Sequence, residues 1–225
     1  MASVQIFSTA AGDGKTGYIG SFGGTWSDTR TASSGNSQSA TDARSYACES
    51  DYNVSSVLVY TNYRGRLVFD LASNIPAGAT ITGGSLSTYC YAKDSSGGGS
   101  ICLVESTQGQ VTTLLAADYP LVGTTEFMTR ATIASATTSA YNTFTLNAAG
   151  VSFLTSKQAT NAMFAFRTSF DLDNTAPTGV SYYAISYSDQ TGTSEDPYLT
   201  VTYTPAATGG VPASPSRRTR GLYVR

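Results

Sequence analysis

The stretch PYLTVTYTP, from Pro197 to Pro205, alternates without a break: Leu199, Val201 and Tyr203 fall on one side of an extended chain, Thr200, Thr202 and Thr204 on the other. Period-two alternation belongs to a strand with one packed and one wet face, because successive side chains point to opposite sides of the pleat. The pattern recurs. In RLVFDL (66–71), Leu67, Phe69 and Leu71 alternate with Arg66, Val68 and Asp70. Further runs of branched and aromatic residues lie at 4–9, 16–21, 55–61, 85–92, 100–106, 142–147, 162–169 and 180–188, with turn-forming residues between them. Many short strands bury their apolar faces by packing sheet on sheet. The sequence therefore predicts an all-β fold, an antiparallel β-sandwich over residues 1–205.

Two segments break the strand pattern. TLLAADYP (113–120) and NAAGVSFLTSKQAT (147–160) read as short helices, centred on 113–118 and 148–157 and packed on the sandwich edge. In the second, Asn147 is placed to cap the helix, and Val151 and Leu154 share one face.

A length of 225 residues suits one such domain. Charged residues make up 12% of the chain, about half the usual share. Ser, Thr, Gly and 15 tyrosines fill the gap, giving a polar, weakly charged exterior of the kind common on extracellular and virion proteins. Histidine is absent, which excludes Ser-His-Asp and Cys-His catalysis and every His-ligated metal site. The three cysteines, Cys48, Cys90 and Cys102, have no CxxC spacing. Cys90 and Cys102 flank AKDSSGGGS; a hairpin centred there sets them close enough for a cross-strand bridge, and the alternative is two small buried thiols. The N-terminus lacks the features of a secretory signal, and no run approaches the ~20 apolar residues of a membrane span.

The C-terminus changes character. PAATGGVPASPSRR (205–218) reads as a linker leading to RRTRGLYVR. Arg217, Arg218, Arg220 and Arg225 give this tail a charge of +4, and the remaining nine basic and fifteen acidic residues leave the body at −6. A tail of opposite sign to its body is a candidate docking arm, with Leu222, Tyr223 and Val224 as its apolar contacts; the alternative is an arginine-solubilised end. Residues 206–225 are thus set apart from the sandwich as linker and docking tail.

In GRLVFDLASNIPAGATITGGSLSTYCYA (65–92), a strand leads into a turn where Pro76 fixes φ and Gly78 allows positive φ, with Ile75 and Ile81 placed to close over the core. The order Arg, apolar, apolar, Phe-Asp-Leu, then Ile-Pro-Ala-Gly-Ala-Thr-Ile, resembles the DNRLRE domain family and related jelly rolls of carbohydrate-binding-module type. The closing PYLTVTY and the opening GYIGSFGGTWSD (17–28) are similar to that family's last strand and first exposed segment. The resemblance spans roughly residues 8–205, with insertions around 30–55 and 118–142. It implies a jelly-roll-like body and a binding or display role, as in phage structural proteins and bacterial surface proteins.

Chemical motifs are few. GDGKTG (12–17) lacks the first glycine of a phosphate loop, since Thr9 stands there. Asp171, Asp173 and Asn174 in FDLDNTAP can be read as oxygen ligands for calcium or as a polar turn before Pro177. Glu195 and Asp196 can be paired with them as acid and base, but no motif selects such a pair. Trp26 is the only tryptophan; with Tyr18, Phe22, Tyr60 and Tyr63 it can form a sugar-stacking platform, or it can fill or cap the core. The resulting expectation is a non-catalytic virion structural or display protein (a capsid decoration, head fibre or tail accessory) with no cofactor and no bound metal. Its partners are expected to be other virion proteins, further copies of itself or a cell-surface glycan, rather than nucleic acid or membrane. The alternative is a bacterial carbohydrate-binding or adhesin module.

Overall fold

The structure, a computed structural model, describes residues 1–9, 12–53, 59–188 and 191–206. Among these the chain forms twelve strands: β1 Ala2–Phe7, β2 Gly14–Ile19, β3 Ser37–Ser39, β4 Arg44–Asn53, β5 Val59–Asp70, β6 Thr80–Asp94, β7 Ser100–Glu105, β8 Ala131–Thr132, β9 Ala140–Thr145, β10 Asn161–Thr168, β11 Ser181–Ser186 and β12 Tyr198–Thr204. Three short helices interrupt them: α1 Trp26–Thr31, α2 Ala148–Ser156 and α3 Ser169–Asp173. The strands run β1-β12-β6-β11-β4-β5-β10-β7-β8, with β2 on β5, β3 on β2 and β9 on β6, and all pairings are antiparallel. The sheet curls back on itself to form a jelly-roll-like sandwich.

The alternation at the C-terminal end sets this arrangement. Val201 lies opposite Val4 of β1, and Leu199 opposite Leu86 of β6; Leu199, Val201 and Leu86 are fully buried. Across the core, Leu67, Phe69 and Leu71 are buried on β5. Phe164 of β10 packs edge-on against Phe69, Phe127 and Phe153 with centroids 6.0, 6.0 and 5.2 Å away. Such aromatic pairs contribute ~0.5–1.5 kcal/mol beyond their buried area. The turn at 75–81 forms as its sequence requires: Gly78 takes φ +75°, and Ile75 and Ile81 are buried on either side. Asn147 caps α2 by accepting the Gly150 N–H at 3.0 Å, and Phe153 and Leu154 face the core.

Three expectations change. Only Ala116–Asp118 is helical within 113–120, as a single 3-10 turn. The Asp118 carboxylate ties off this turn by accepting the Leu115 N–H at 2.7 Å and the Gly109 N–H at 3.1 Å. The stretch 30–55, expected as an insertion, holds the ten-residue strand β4, which lies between β11 and β5. Its alternation is broken by a bulge beside Ala47, where the register with β11 shifts. The hairpin that would set Cys90 opposite Cys102 does not form, which leaves the reading of them as small buried thiols: β6 pairs with β9, β11 and β12, and β7 with β8 and β10. All three thiols are free and buried.

The described part of the run at 55–61 continues into the run at 65–71 as one strand, β5, which passes close to β4 at Gly65. A Cβ at Gly65 would sit 2.6 Å from the Ala47 backbone and 2.4 Å from the Tyr187 hydroxyl. Gly65→Ala is therefore expected to destabilise the fold by ~1–3 kcal/mol, the usual cost of overpacking. A shifted urea midpoint at unchanged m-value would show it, and an unmoved midpoint would mean the strands part without strain.

Candidate functional site: an aromatic cleft beside a buried arginine cluster

Arg66, expected on a wet strand face, is fully buried. Among the described residues it has no carboxylate partner, and it spends its donors on Ser106 Oγ at 2.9 Å, the carbonyls of Leu121 and Tyr119 at 3.2 and 3.3 Å, Thr16 Oγ1 at 3.4 Å, and the Asp118 carbonyl. Burial and then the nearby Arg64 guanidinium pull its pKa down to about 9. It pins the segment 106–121 against the strands.

Beside it, Asp171 of α3 gathers three guanidinium groups around one fully buried carboxylate, Arg64 and Arg167 by hydrogen bonds and Arg30 at 3.7 Å. Arg64 of β5 donates through Nε at 2.8 Å and Nη2 at 2.7 Å, and Arg167 of β10 through Nε at 2.7 Å and Nη2 at 2.9 Å. Arg30 of α1 donates to the Asp171 carbonyl at 2.5 Å. Burial alone would raise the Asp171 carboxyl; Arg64 and Arg167 outweigh it and hold the acid well below the usual carboxylate range. Arg64 also donates to the Tyr119 carbonyl at 2.7 Å and the Arg30 carbonyl at 2.9 Å, with its guanidinium 4.2 Å from the Tyr119 ring centre. Tyr119 Oη donates to the Thr29 carbonyl at 2.8 Å and accepts from Asn62 Nδ2 at 2.9 Å. One ionic cluster thus joins β5, β10, α1, α3 and the 106–121 segment.

This cluster holds α1 in place, and α1 begins at Trp26. The helix is capped by Thr25, whose Oγ1 accepts the Asp28 N–H at 3.2 Å while the Asp28 carboxylate accepts the Thr25 N–H at 3.3 Å. Trp26 lies with its ring 5.7 Å from Tyr60, which stacks on Tyr52 at 4.7 Å with the planes 30° apart. The three rings line an open cleft of about 520 Å³, completed by Gly23, Gly24, Thr25, Ser27, Asn174 and Ala176. Trp26 is 5% exposed, and its Nε1 has no hydrogen-bond partner among the described residues. A buried indole N–H usually has one.

The five aromatics named from sequence do not form one platform. Trp26 and Tyr60 share the cleft; Phe22, 73% exposed, precedes the Gly23 wall. Tyr18 packs 6.3 Å from Tyr119. Tyr63 is three residues from Tyr60 on one strand and so points from the opposite face, beside Tyr46. Tyr52 was missed because β4 was not legible as a strand. Arg217, Arg218, Arg220, Leu222, Tyr223, Val224 and Arg225 lie outside the described residues.

Of the carboxylates weighed for calcium or acid–base work, Asp171, Asp173 and Glu195 bind arginine. Asp173 accepts from Arg130 at 2.5 and 2.7 Å, and Arg130 also reaches Glu126 at 2.7 Å. Glu195 accepts from Arg44 at 2.8 and 3.1 Å and from Ser186 Oγ at 2.6 Å.

The curled antiparallel sheet defines the class, a jelly-roll-like β-sandwich. No family model matches the chain, and no curated protein matches it.

Proposed function

We propose that this protein is a non-catalytic display module of a virion, whose jelly-roll-like body binds a glycan in the Trp26 cleft. The cleft carries the reading: the rings of Trp26, Tyr52 and Tyr60 line a space bordered by Thr25, Ser27 and Asn174. Ring faces suit the apolar face of a sugar, and the hydroxyl and amide groups of Thr25, Ser27 and Asn174 suit its oxygens. Among the described residues the lining carries no Asp, Glu, Lys or Arg. The virion placement is supported by the resemblance of the PYLTVTY and NIPAGATI segments to display domains of phage structural proteins. The same cleft favours a bacterial carbohydrate-binding or adhesin module as the second reading.

Glycan-array binding followed by calorimetry tests the cleft. Wild type is expected to bind, and Tyr52→Ala and Tyr60→Ala to weaken binding roughly tenfold each, the scale of one lost aromatic contact. Trp26→Ala is expected to abolish binding; because Trp26 is buried, the tyrosine variants serve as the folded controls. Absence of binding across the array, or unchanged affinity in both tyrosine variants, sinks the glycan reading. Imaging of native particles decides the setting, and copies at defined symmetry positions support the virion.

A further inference from the structure

A second cluster lies on the opposite face of β5. Glu49 of β4 stands directly across from Tyr63 of β5 on one side and Tyr182 of β11 on the other. Cross-strand partners share a face, so the carboxylate lies between tyrosines. Tyr46 completes the group, its ring 5.3 Å from both Tyr63 and Tyr182. Glu49 is only 7% exposed, and its Oε2 has no hydrogen-bond partner among the described residues. Asp51, two residues along the same face, has an Oδ1 in the same condition. Asp94 of β6, across from Tyr182, extends the acidic character.

One cation already uses part of this face. Lys15 Nζ lies 5.3 and 5.0 Å from the Tyr46 and Tyr63 ring centres, and its ion pair, at 3.5 Å, is Asp42. Glu49 Oε2 and Asp51 Oδ1 are left over. Partnerless carboxylate oxygens beside tyrosine rings match a guanidinium, which stacks on aromatic faces and donates in a planar fork. A metal ion fits less well: no group of three or more His, Cys, Asp or Glu among the described residues is arranged to hold one.

We infer that the acidic tyrosine face around Glu49 is a docking site for the arginine-rich C-terminal segment, residues 217–225, of a second copy of this chain. Charge complementarity supports the occupant, since RRTRGLYVR carries four arginines and no acid against a body of net charge −6. Topology supports the second copy. Thr204 of β12 pairs with Thr80, the first residue of β6, whereas Tyr182 pairs with Asp94, the last. At ~3.3 Å per residue the fifteen-residue β6 spans about 46 Å. The chain therefore leaves the sandwich at the far end of β6 from Glu49. Arg217 follows Ala206 by eleven residues, a reach of about 34 Å even when extended. Measured along the strands, Arg217 and Arg218 fall short of their own Glu49, whereas Arg225, nineteen residues past Ala206, covers about 59 Å, so the 217–218 pair is the part that calls for a neighbour. A neighbour's tail has no such limit.

The pH response follows from the groups facing the site: Lys15 from β2, Tyr46, Glu49 and Asp51 from β4, Tyr63 from β5, Tyr182 from β11 and Asp94 from β6. Burial, then the Asp51 charge, pushes the Glu49 carboxyl up to about 8, with Lys15 opposing. Docking needs the ionised carboxylate, so it strengthens as pH rises toward 8. The inference is separate from the glycan cleft, and either can fail alone.

Sedimentation velocity of the full chain at pH 8 and low salt tests it. The wild type is expected to self-associate with rising concentration and to dissociate as salt is added. Glu49→Gln, Asp51→Asn and the triple variant Arg217→Ser, Arg218→Ser, Arg220→Ser are each expected to weaken association at least tenfold. The half-exposed Asp51 and the tail variants keep the test open should Glu49→Gln perturb the fold. A chain that stays monomeric at every concentration overturns the inference, as does association that survives the two carboxylate changes or the tail change.

Discussion

Asp171→Ala is expected to remove ~3–5 kcal/mol of stability, the scale of breaking a buried ion pair by deleting one partner. The variant leaves Arg64 and Arg167, each 3% exposed, without their carboxylate. Neither can turn to water without dislodging Tyr119, Arg30 or α3, to which they are also bonded. The Asp171 carboxyl is held below its ordinary pKa, so in the wild type its contribution is complete above the unfolded value near 4 and is lost as pH falls through the lower folded value. The variant should lack this acid-side loss. Urea unfolding at pH 7 and again between pH 5 and 2 measures both effects. A deficit under ~1 kcal/mol would mean that the arginines are solvated and that the cluster does not hold the structure together.

Glu49 is expected to behave in the opposite sense. Its folded pKa of about 8 lies above the ordinary 4.5, because burial and the Asp51 charge disfavour the carboxylate. Between those values the folded state binds more protons than the unfolded chain, so this group's contribution declines as pH rises from about 4.5 to 8. At ~1.4 kcal/mol per pKa unit, full ionisation costs on the order of a few kcal/mol. Glu49→Gln keeps the shape and removes the charge. The variant should match the wild type near pH 5 and exceed it by a few kcal/mol at pH 9. Thermal melts across that range decide the matter, and parallel curves for the two proteins would show that Glu49 ionises without cost. The same cost makes an arriving guanidinium effective, since a cation beside Glu49 stabilises the charged form that the empty face disfavours.

The two sites differ in how much of each the sequence revealed. Trp26 and Tyr60 were identifiable because a lone tryptophan and a tyrosine-rich strand stand out in composition. Their partner Tyr52 was not, because RSYACESDYN carries charges at 44, 49 and 51 and a bulge at Ala47 that shifts the alternation. Glu49 escaped notice for a related reason. A glutamate in a polar run reads as solvated, and nothing local shows that three tyrosines from three strands close around it.

The sequence by itself determined the strands whose two faces see different media. Leu199 and Val201, or Leu67 and Phe69, alternate because one side packs and the other does not, and that contrast is written into neighbouring residues. It also determined the punctuation, such as the Asn147 cap and the Pro76–Gly78 turn, since these depend on backbone chemistry within a few positions. Only the tertiary structure decided where a strand is buried on both sides. Arg64 and Arg66 look like a wet face because a guanidinium is costly to bury alone, and what makes burial tolerable comes from far along the chain: Asp171, Ser106, and the carbonyls of Asp118, Tyr119 and Leu121. Partners brought together by folding leave no local pattern, so a charge they satisfy is indistinguishable in sequence from one facing water.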